Sequence, residues 1–232
     1  MDAALTFRET PLYRLQQSFG HPEGLNLQVR LVLKRGLDIL GAGMGILLAA
    51  PLMGLVALAV KFSSQGPVLY KQARLGKGGA EFTIYKFRTM RVDAESNGPQ
   101  WAQTDDPRVT RIGGFLRRTH LDELPQLFNV LEGSMSLVGP RPERPAFAEE
   151  LNKQVPSYDQ RLLVKPGLTG LAQIHYRYDC TVEDVKKKLR YDLLYVRRMC
   201  LLLDLQIIWK TATLILGVFL GKGRTLAEVR IK

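Results

Sequence analysis

The run Ile39–Val60, ILGAGMGILLAAPLMGLVALAV, holds twenty-two residues without a charge. About 20 such residues are enough for a helix to span the hydrocarbon core of a bilayer. A core helix of a soluble protein usually carries polar residues on one face, and this run has no such face. A cleavable signal peptide does not fit either, because a long polar segment precedes the run and no small-residue cleavage motif follows it. The run therefore predicts a helix embedded in a membrane.

Two features of this run predict that it enters and leaves the membrane on the same side. Pro51 stands near its middle, where the missing N–H and the ring would kink or break a helix. Basic residues flank both ends, with Lys34 and Arg35 before the run and Lys61 after it, and cytoplasmic segments are enriched in such residues. A re-entrant helix–break–helix hairpin satisfies both observations. Asp38, one turn after Lys34 and Arg35, is predicted to reach back to these cations at headgroup level.

The rest of the sequence predicts a mostly helical α+β protein. Two short strands, Pro67–Tyr70 and Glu81–Phe87, flank a glycine-rich segment and predict a β-hairpin. Helices are predicted over Leu116–Leu131, Glu143–Lys153, Val182–Arg198 and Leu203–Leu220. The last of these is apolar almost all round, so it lies either in the membrane interface, with Trp209 at headgroup depth, or in the core. The predicted organisation is a polar extension over 1–30, the membrane hairpin over 31–62, a folded domain over 63–224 and a tail over 225–232.

The charge of the chain indicates an acidic partner. Lys and Arg number 33 against 22 Asp and Glu, a formal net charge of +11. Nucleic acid, an anionic membrane face or a phosphorylated substrate would each account for this excess. No nucleic-acid-binding motif is present, so specific nucleic-acid binding is not expected, and only weak, salt-sensitive binding would follow from charge. Cys180 and Cys200 lack the spacing of a zinc site or a disulfide framework.

An adjacent pair of carboxylates, Asp122 and Glu123, interrupts the apolar segment LDELPQLF. An isolated acidic pair would simply complement a helix dipole. Here Arg117 and Arg118 precede the pair by one turn, and Arg141 follows in a Pro-Arg-Pro turn. Arginine forks suit phosphate oxygens, and a carboxylate that faces several cations stays ionised. Such a carboxylate can hold a divalent cation or attack phosphorus.

Two other segments are candidates for phosphate binding. In YKFRTM, Lys86 and Arg88 alternate with aromatic residues on a predicted strand, which places both cations on one face. A solvated polar face is the alternative interpretation. In KPGLTGLAQ, Gly167 and Gly170 predict a tight loop whose backbone N–H groups could approach a phosphate. His120 is not predicted to be a base, because residues two apart do not share a helix face.

Taken together, these motifs resemble the bacterial sugar transferase family, the monotopic phosphoglycosyl transferases that initiate exopolysaccharide, O-antigen and glycoprotein glycan assembly. The resemblance covers about residues 31–224 and rests on KRGLD before the apolar run, YKFRTM, DDPRVTRIGGFLRRTHLDELPQLFNVLEGSMSLVGPRPERP, KPGLTGLAQ and YDLLYVRR. It implies a re-entrant helix at the bacterial inner membrane and a catalytic domain on the cytoplasmic face with interfacial amphipathic helices. The sequence is closest in kind to the small catalytic-core form of the exopolysaccharide type.

The resemblance also implies a reaction. Asp122 would attack the sugar-bearing phosphate of a UDP-sugar, UMP would leave, and undecaprenol phosphate would take the sugar phosphate from the aspartyl intermediate. It implies Mg²⁺ held by Asp122, with Glu123 as general acid/base. Residues that match the family's substrate-binding positions are Lys86, Arg88, Arg117, Arg118, Arg141, Gln173 and Asp192. Anionic membrane lipids are implied as further partners, and a homodimer is left open.

One residue departs from the family pattern, and one alternative function is not enzymatic. Leu171 stands where relatives usually have an aromatic residue, so stacking of a nucleotide base at that position is not implied. A non-enzymatic membrane-surface adaptor that keeps the same fold is the alternative function. The intact Asp122–Glu123 pair and Arg141 oppose this alternative, and a test for UMP release separates the two.

Overall fold

The computed structural model describes residues 27–96, 98, 106–176 and 181–220. Most of the predicted N-terminal extension, Cys180 and the predicted tail over 225–232 lie outside these residues. The helices are α1 (Leu27–Ser63), α2 (Arg111–Thr119), α3 (Gln126–Glu132), α4 (Pro145–Gln154), α5 (Leu171–His175), α6 (Val182–Arg198) and α7 (Leu201–Phe219). The strands are β1 (Leu69–Leu75), β2 (Glu81–Phe87), β3 (Ser136–Val138) and β4 (Gly167–Thr169), and 3₁₀ turns cover Lys77–Gly79, Leu121–Glu123 and Tyr158–Leu163. The mostly helical α+β class is confirmed.

The apolar run lies within one long helix, α1, which continues through Pro51 for 37 residues. The predicted break at Pro51 is therefore wrong, since a single helix runs through this position. Leu47, Leu48 and Leu55, on either side of Pro51, are 71%, 74% and 65% exposed. Only 11% of the apolar window of α1 is buried, which excludes the alternative of a core helix.

Both halves of α1 pack against the same domain. In the N-terminal half, Ala42 belongs to a buried cluster with Leu127 of α3. In the C-terminal half, Val56 and Val60 share a second cluster with Phe87 at the end of β2. The exposed apolar stretch thus lies between two segments that are anchored to one surface.

The charged residues at the start of α1 bind the domain rather than one another. Arg35 donates from Nη1 to Val130 O at 2.6 Å and from Nη2 to Leu131 O at 2.7 Å, so it satisfies the last carbonyls of α3. Asp38 is buried and accepts hydrogen bonds from Ser136 Oγ and Leu137 N, both at 2.9 Å. The prediction that Asp38 reaches back to Lys34 and Arg35 is therefore wrong, because the free N–H of β3 is a nearer partner.

Lys34 joins α1 to the last two helices through a buried ion pair. Its Nζ lies 2.7 Å from Oδ2 of Asp204 on α7 and donates to Val138 O at 3.2 Å. The hydroxyl of Tyr195 on α6 donates to Oδ1 of the same carboxylate at 2.7 Å. A buried charge requires such partners, and their loss would leave Asp204 uncompensated. This network fixes α7 beside α1.

The predicted β-hairpin is confirmed, and one buried side chain attaches it to the helices. β1 and β2 pair antiparallel, with Tyr70 opposite Lys86. Asn129 on α3 accepts from Tyr85 N at 3.0 Å and donates to Thr83 O at 2.8 Å. Because Asn129 uses both ends of its amide on the β2 backbone, it sets the position of β2 relative to α3.

The helix predicted over Leu116–Leu131 is broken into α2, a 3₁₀ turn and α3. His120 adopts a left-handed conformation with φ 58°, which ends α2. Pro125 then stands directly before α3, a position that requires no N–H donor. Gly133, with φ 93°, ends α3 close to the predicted helix end at Leu131. The break places Asp122 and Glu123 on the short turn between two helices.

The apolar helix α7 lies on the surface of the domain. Ile207 and Asp204 are buried, but Leu202, Trp209 and Leu216 are 66%, 71% and 57% exposed. Only 11% of its apolar window is buried, so the core alternative is wrong for this helix. Within the described part of the chain, α1 and α7 are the two helices long and apolar enough to cross a membrane.

Candidate functional site

The two adjacent carboxylates differ in their bonding. Glu123 is held by two cations: Lys86 Nζ lies 2.7 Å and Arg141 Nη2 2.6 Å from its Oε1. Asp122 is buried as well, yet no described residue forms a hydrogen bond or ion pair with its carboxylate. Neighbouring residues in one turn thus have opposite roles: Glu123 organises cations, and Asp122 keeps its oxygens available.

The pKa values of the two carboxyl groups are shifted in opposite directions. Burial raises the pKa of Asp122 to about 6, and the charge of Glu123 adds to this, although Lys86, Arg117 and Arg141 oppose it. Burial also acts to raise the pKa of Glu123, but the charges and hydrogen bonds of Arg141 and Lys86 outweigh it and hold that pKa well below its usual range. A carboxylate bound in this way is a poor proton donor or acceptor near neutral pH. The ion pairs show that Glu123 holds Lys86 and Arg141 in place, and its general acid/base role remains a prediction.

We expect metal-free wild-type protein to gain stability relative to Asp122→Asn as the pH falls from about 7.5 to about 5. The pKa of Asp122 is about 6 in the folded chain against an ordinary value of 3.8, so the folded state binds the proton more tightly. The resulting stabilisation is fully present below the unfolded value and is lost as the pH rises through about 6. Thermal unfolding of both proteins in EDTA across this range measures the effect. Parallel curves of Tm against pH would contradict it.

The turn that carries Arg141 is fixed through its backbone at every residue from 139 to 143. The first two residues bond to the segment around β4: Gly139 N donates to Thr169 O, and Pro140 O accepts from Gly167 N. Two arginines hold the next two carbonyls, since Arg161 Nη2 donates to Arg141 O and Arg74 Nη1 donates to Pro142 O. Glu143 O accepts from Leu75 N, and all five distances lie between 2.8 and 3.0 Å. Proline at two of these positions further limits the turn. The guanidinium of Arg141 is thus presented to Glu123 from a rigid support.

Asp192 acts through a second arginine. It is buried and lies 2.9 Å from Nη2 of Arg161, the same nitrogen that donates to Arg141 O at 2.8 Å. Arg161 Nη1 also donates to the Tyr158 hydroxyl at 2.6 Å. Asp192 therefore helps to position Arg141, and the prediction that it binds substrate directly remains a prediction.

The remaining predicted cations occupy different places around the pair. Arg117 donates from Nε to Thr89 Oγ1 at 2.9 Å, and Arg118 is exposed beside it. Arg88 does not share the position of Lys86: it is buried and donates from Nη2 to Ser64 O at 2.7 Å, which ties β2 to the chain after α1. Its Nε and Nη1 are buried without a hydrogen-bond partner among the described residues.

The glycines of the loop predicted to approach a phosphate allow close packing of the backbone, and its phosphate contact remains a prediction. A Cβ at Gly167 or Gly170 would collide with the backbone of Gly139, so these glycines allow the two segments to touch. β4 pairs with β3 in the same region, and Leu171 already belongs to α5. Gln173 donates from Nε2 to Leu168 O at 3.1 Å.

All the predicted catalytic and substrate-binding residues line one open cavity of about 1920 Å³. These are Lys86, Arg88, Arg117, Arg118, Asp122, Glu123, Arg141, Gln173 and Asp192. The predicted membrane-hairpin residues Lys34, Arg35, Asp38 and Pro51 are not among its lining residues. A cavity that joins a free carboxylate to several arginines is suited to a substrate with two or more phosphates.

Three residues that support the site were not predicted from the sequence. Arg161 holds the carbonyl of Arg141, Arg74 holds the carbonyl of Pro142, and Asn129 holds β2. For Asn129 and Arg161 the signal was a polar residue beside apolar ones, as in LFNVL and DQRLLV, whereas Arg74 lies in a polar segment without such a signal. Such residues are usually buried with a partner, but the sequence does not say which partner.

Comparisons with known proteins match the chain to one family and several enzymes. A family model described as bacterial sugar transferase matches residues 29–217. A UDP-N-acetylgalactosamine-undecaprenyl-phosphate N-acetylgalactosaminephosphotransferase of Aeromonas hydrophila is 45% identical over 81% of this chain and 44% of its own length. A UDP-glucose:undecaprenyl-phosphate glucose-1-phosphate transferase of Xanthomonas campestris pv. campestris is 51% identical over 72% of this chain and 35% of its own. The exopolysaccharide production protein PSS of Rhizobium leguminosarum bv. phaseoli is 44% identical over 83% of this chain and 98% of its own length.

The chain thus spans less than half the length of the Aeromonas and Xanthomonas proteins but almost all of the Rhizobium protein. The named relatives act on different sugars. The family match over residues 29–217 includes nearly all of the residues that the structure describes.

Proposed function

We propose that this chain, which belongs to the bacterial sugar transferase family, transfers a sugar 1-phosphate from a UDP-sugar to undecaprenol phosphate and releases UMP. The observation that carries this proposal is the buried carboxylate of Asp122, which has no hydrogen bond from any described residue and lies in an arginine-lined cavity. Phosphoryl transfer depends mainly on positioning and on neutralisation of charge, and this cavity provides both. The relatives' names support the undecaprenyl-phosphate acceptor.

In the first step, an Asp122 carboxylate oxygen attacks the sugar-bearing phosphorus of the donor. The new bond joins this oxygen to phosphorus, the bond to the bridging oxygen of the diphosphate breaks, and UMP leaves with that oxygen. Glu123 keeps Lys86 and Arg141 beside the reacting phosphates, and Arg117 adds a further cation whose charge acts on Asp122. The enzyme then carries the sugar phosphate on Asp122.

In the second step, a phosphate oxygen of the acceptor attacks the same phosphorus. The bond from phosphorus to Asp122 breaks, the carboxylate is restored, and the product is a polyprenyl-diphosphate sugar. Because the acceptor is already ionised, this step requires little proton transfer from the protein. The low pKa of Glu123 is compatible with that requirement.

We include Mg²⁺ in this proposal as an ion that arrives with the donor. The described residues contain no group of three or more His, Cys, Asp or Glu side chains able to hold a metal. Mg²⁺ often binds through one or two carboxylates and completes its ligands with substrate phosphates and water. Asp122 provides such a carboxylate, so the donor set fits. When bound, the ion would neutralise charge on the diphosphate.

The experiment that tests the function is UMP release from a panel of UDP-sugars, with Mg²⁺ and undecaprenol phosphate. The relatives named for N-acetylgalactosamine and glucose transfer make UDP-N-acetylgalactosamine and UDP-glucose the first donors. We expect release that depends on the lipid acceptor for at least one donor. Folded, membrane-inserted protein that releases no UMP from any donor would favour the adaptor function instead.

We also propose that α1 enters and leaves the inner membrane from the cytoplasmic side. We propose further that the product of the enzyme feeds exopolysaccharide or related glycan assembly. The support for the topology is that both halves of α1 pack on one domain while the apolar stretch between them is exposed. The name of the Rhizobium relative supports the pathway.

For the topology, we expect cysteines introduced at Gly36 and Phe62 to react with an impermeant maleimide from the same membrane face. Phe62 is 85% exposed, and nothing lies within 4 Å of a Cβ at Gly36, so both positions are accessible. Labelling of inverted and right-side-out vesicles, after replacement of the native cysteines, measures this. Leu48→Cys, in the exposed apolar stretch, is the matched control and should react only after the membrane is dissolved. Labelling of positions 36 and 62 from opposite faces would show that α1 crosses the bilayer.

A further inference from the structure

The catalytic cavity has an apolar end that the proposed chemistry at Asp122 does not use. Its lining there comes from α1, the two short parallel strands and α7: Leu37, Gly41, Leu137, Leu168, Leu205, Ile208, Ala212, Leu214 and Ile215. A sugar diphosphate has no apolar group that would fill such a wall. The apolar end therefore requires a different ligand.

This apolar wall adjoins a basic wall. α7 packs against α2, and α2 contributes Arg111, Arg117 and Arg118 to the lining of the same cavity. The middle of α7 is fixed by a 2.7 Å hydrogen bond between Thr211 and Thr169 of β4. The position of the apolar wall relative to the cations is thus determined by the fold.

The apolar end is also continuous with the surfaces that suit a bilayer. The two helices that form it, α1 and α7, are the ones apolar enough for a membrane among the described residues. Leu205 both lines the cavity and is 51% exposed, and Trp209 on the next turn is 71% exposed. A long apolar chain could pass from lipid into the cavity without crossing water.

We propose that the apolar groove between α7 and α1 holds the first isoprene units of the acceptor, so that its phosphate is directed to the α2 arginines and Asp122. An isoprenoid phosphate carries one anionic group at the end of an apolar chain, which matches an apolar wall that leads to a basic one. This inference rests on the proposed function and adds to it the binding site of the lipid chain. It assigns α7 a role in acceptor binding.

The test compares Ala212→Trp, which fills the groove, with Thr213→Trp on the same turn. Thr213 is exposed and is not among the lining residues of the cavity, so it is the matched control. We expect Ala212→Trp to lower kcat/KM for undecaprenol phosphate roughly tenfold or more, and Thr213→Trp to change it less than about twofold. Exchange of labelled UMP into the UDP-sugar, which needs no lipid, should be similar in both variants.

Two outcomes distinguish failure of this inference from failure of the proposed function. Equal acceptor kinetics in Ala212→Trp and Thr213→Trp, with exchange intact, would overturn the groove assignment alone. Absence of both exchange and UMP release in the wild type would overturn the proposed function and this inference with it.

Photolabelling of the wild-type protein tests the groove without any variant. A polyprenyl phosphate that carries a diazirine in its second isoprene unit should label peptides of α7 or of the N-terminal half of α1. Undecaprenol phosphate should displace this label, and phosphatidylglycerol should not. Labelling elsewhere, or equal displacement by both lipids, would overturn the assignment.

Discussion

Replacement of Asp122 with Asn is expected to lower lipid-dependent UMP release by about a thousandfold or more, because the amide cannot form the covalent intermediate. The change is nearly isosteric, and no described residue forms a hydrogen bond with the Asp122 carboxylate that would be lost. Fold and donor binding should therefore persist. The measurement is UMP release with the best donor, and Asp159→Asn, an exposed acidic residue outside the cavity, is the control.

The same pair of proteins tests the covalent step directly. Wild-type protein incubated with a sugar-labelled donor, without acceptor, should retain label after denaturation, and Asp122→Asn should not. Added undecaprenol phosphate should remove the label from the wild type. UMP release at the wild-type rate in Asp122→Asn, or label retained in that variant, would show that another residue is the nucleophile.

Replacement of Arg141 with Ala is expected to lower kcat/KM for the donor by about a hundredfold, since one charged donor to the reacting phosphates is removed. Arg141 also neutralises Glu123, whose charge raises the pKa of Asp122, so its loss disturbs both carboxylates. Arg141→Lys keeps the charge but not the two-pronged geometry, and its activity should be intermediate. Steady-state UMP release at varied donor concentration measures these effects.

The control for Arg141 is Arg198→Ala, which removes an exposed arginine on the last turn of α6, outside the cavity. It should change donor kcat/KM less than about twofold. Arg141→Ala with normal kinetics would mean that Glu123 and Lys86 do not need this cation and that the anchored turn has another purpose. Thermal unfolding of both variants separates loss of activity from loss of structure.

Several features of the site could be predicted because they are local in the sequence. Three of them depend on residues close together in the chain: the hairpin over β1 and β2, the end of α3 at Gly133, and the adjacent positions of Asp122 and Glu123. The arginines around the pair were visible for the same reason. Such patterns indicate which side chains are candidates for the site, but they do not show which of these side chains contact one another.

The errors fall where the deciding contacts are distant in sequence. Asp38 was expected to pair with Lys34, four residues away, yet it bonds to Ser136 and Leu137, while Lys34 pairs with Asp204. The predicted helix over 116–131 is interrupted at His120, whose left-handed backbone ends α2. Closeness in sequence was a poor guide for Asp38 and Lys34, because packing of α1 and α7 on the domain supplied other partners.

The long apolar helix, the hairpin and the set of charged residues available for chemistry could all be predicted from the sequence, because charge-free length, alternation and motif spacing are properties of short segments. Which of the two carboxylates is free depends on the tertiary structure. Lys86 and Arg141 lie 37 and 18 positions from Glu123, and both reach it rather than Asp122. That choice depends on backbone supports from Arg74, Asn129 and Arg161, which come together only when the chain folds. In a buried site, the partner that each charge finds fixes its pKa and hence its role.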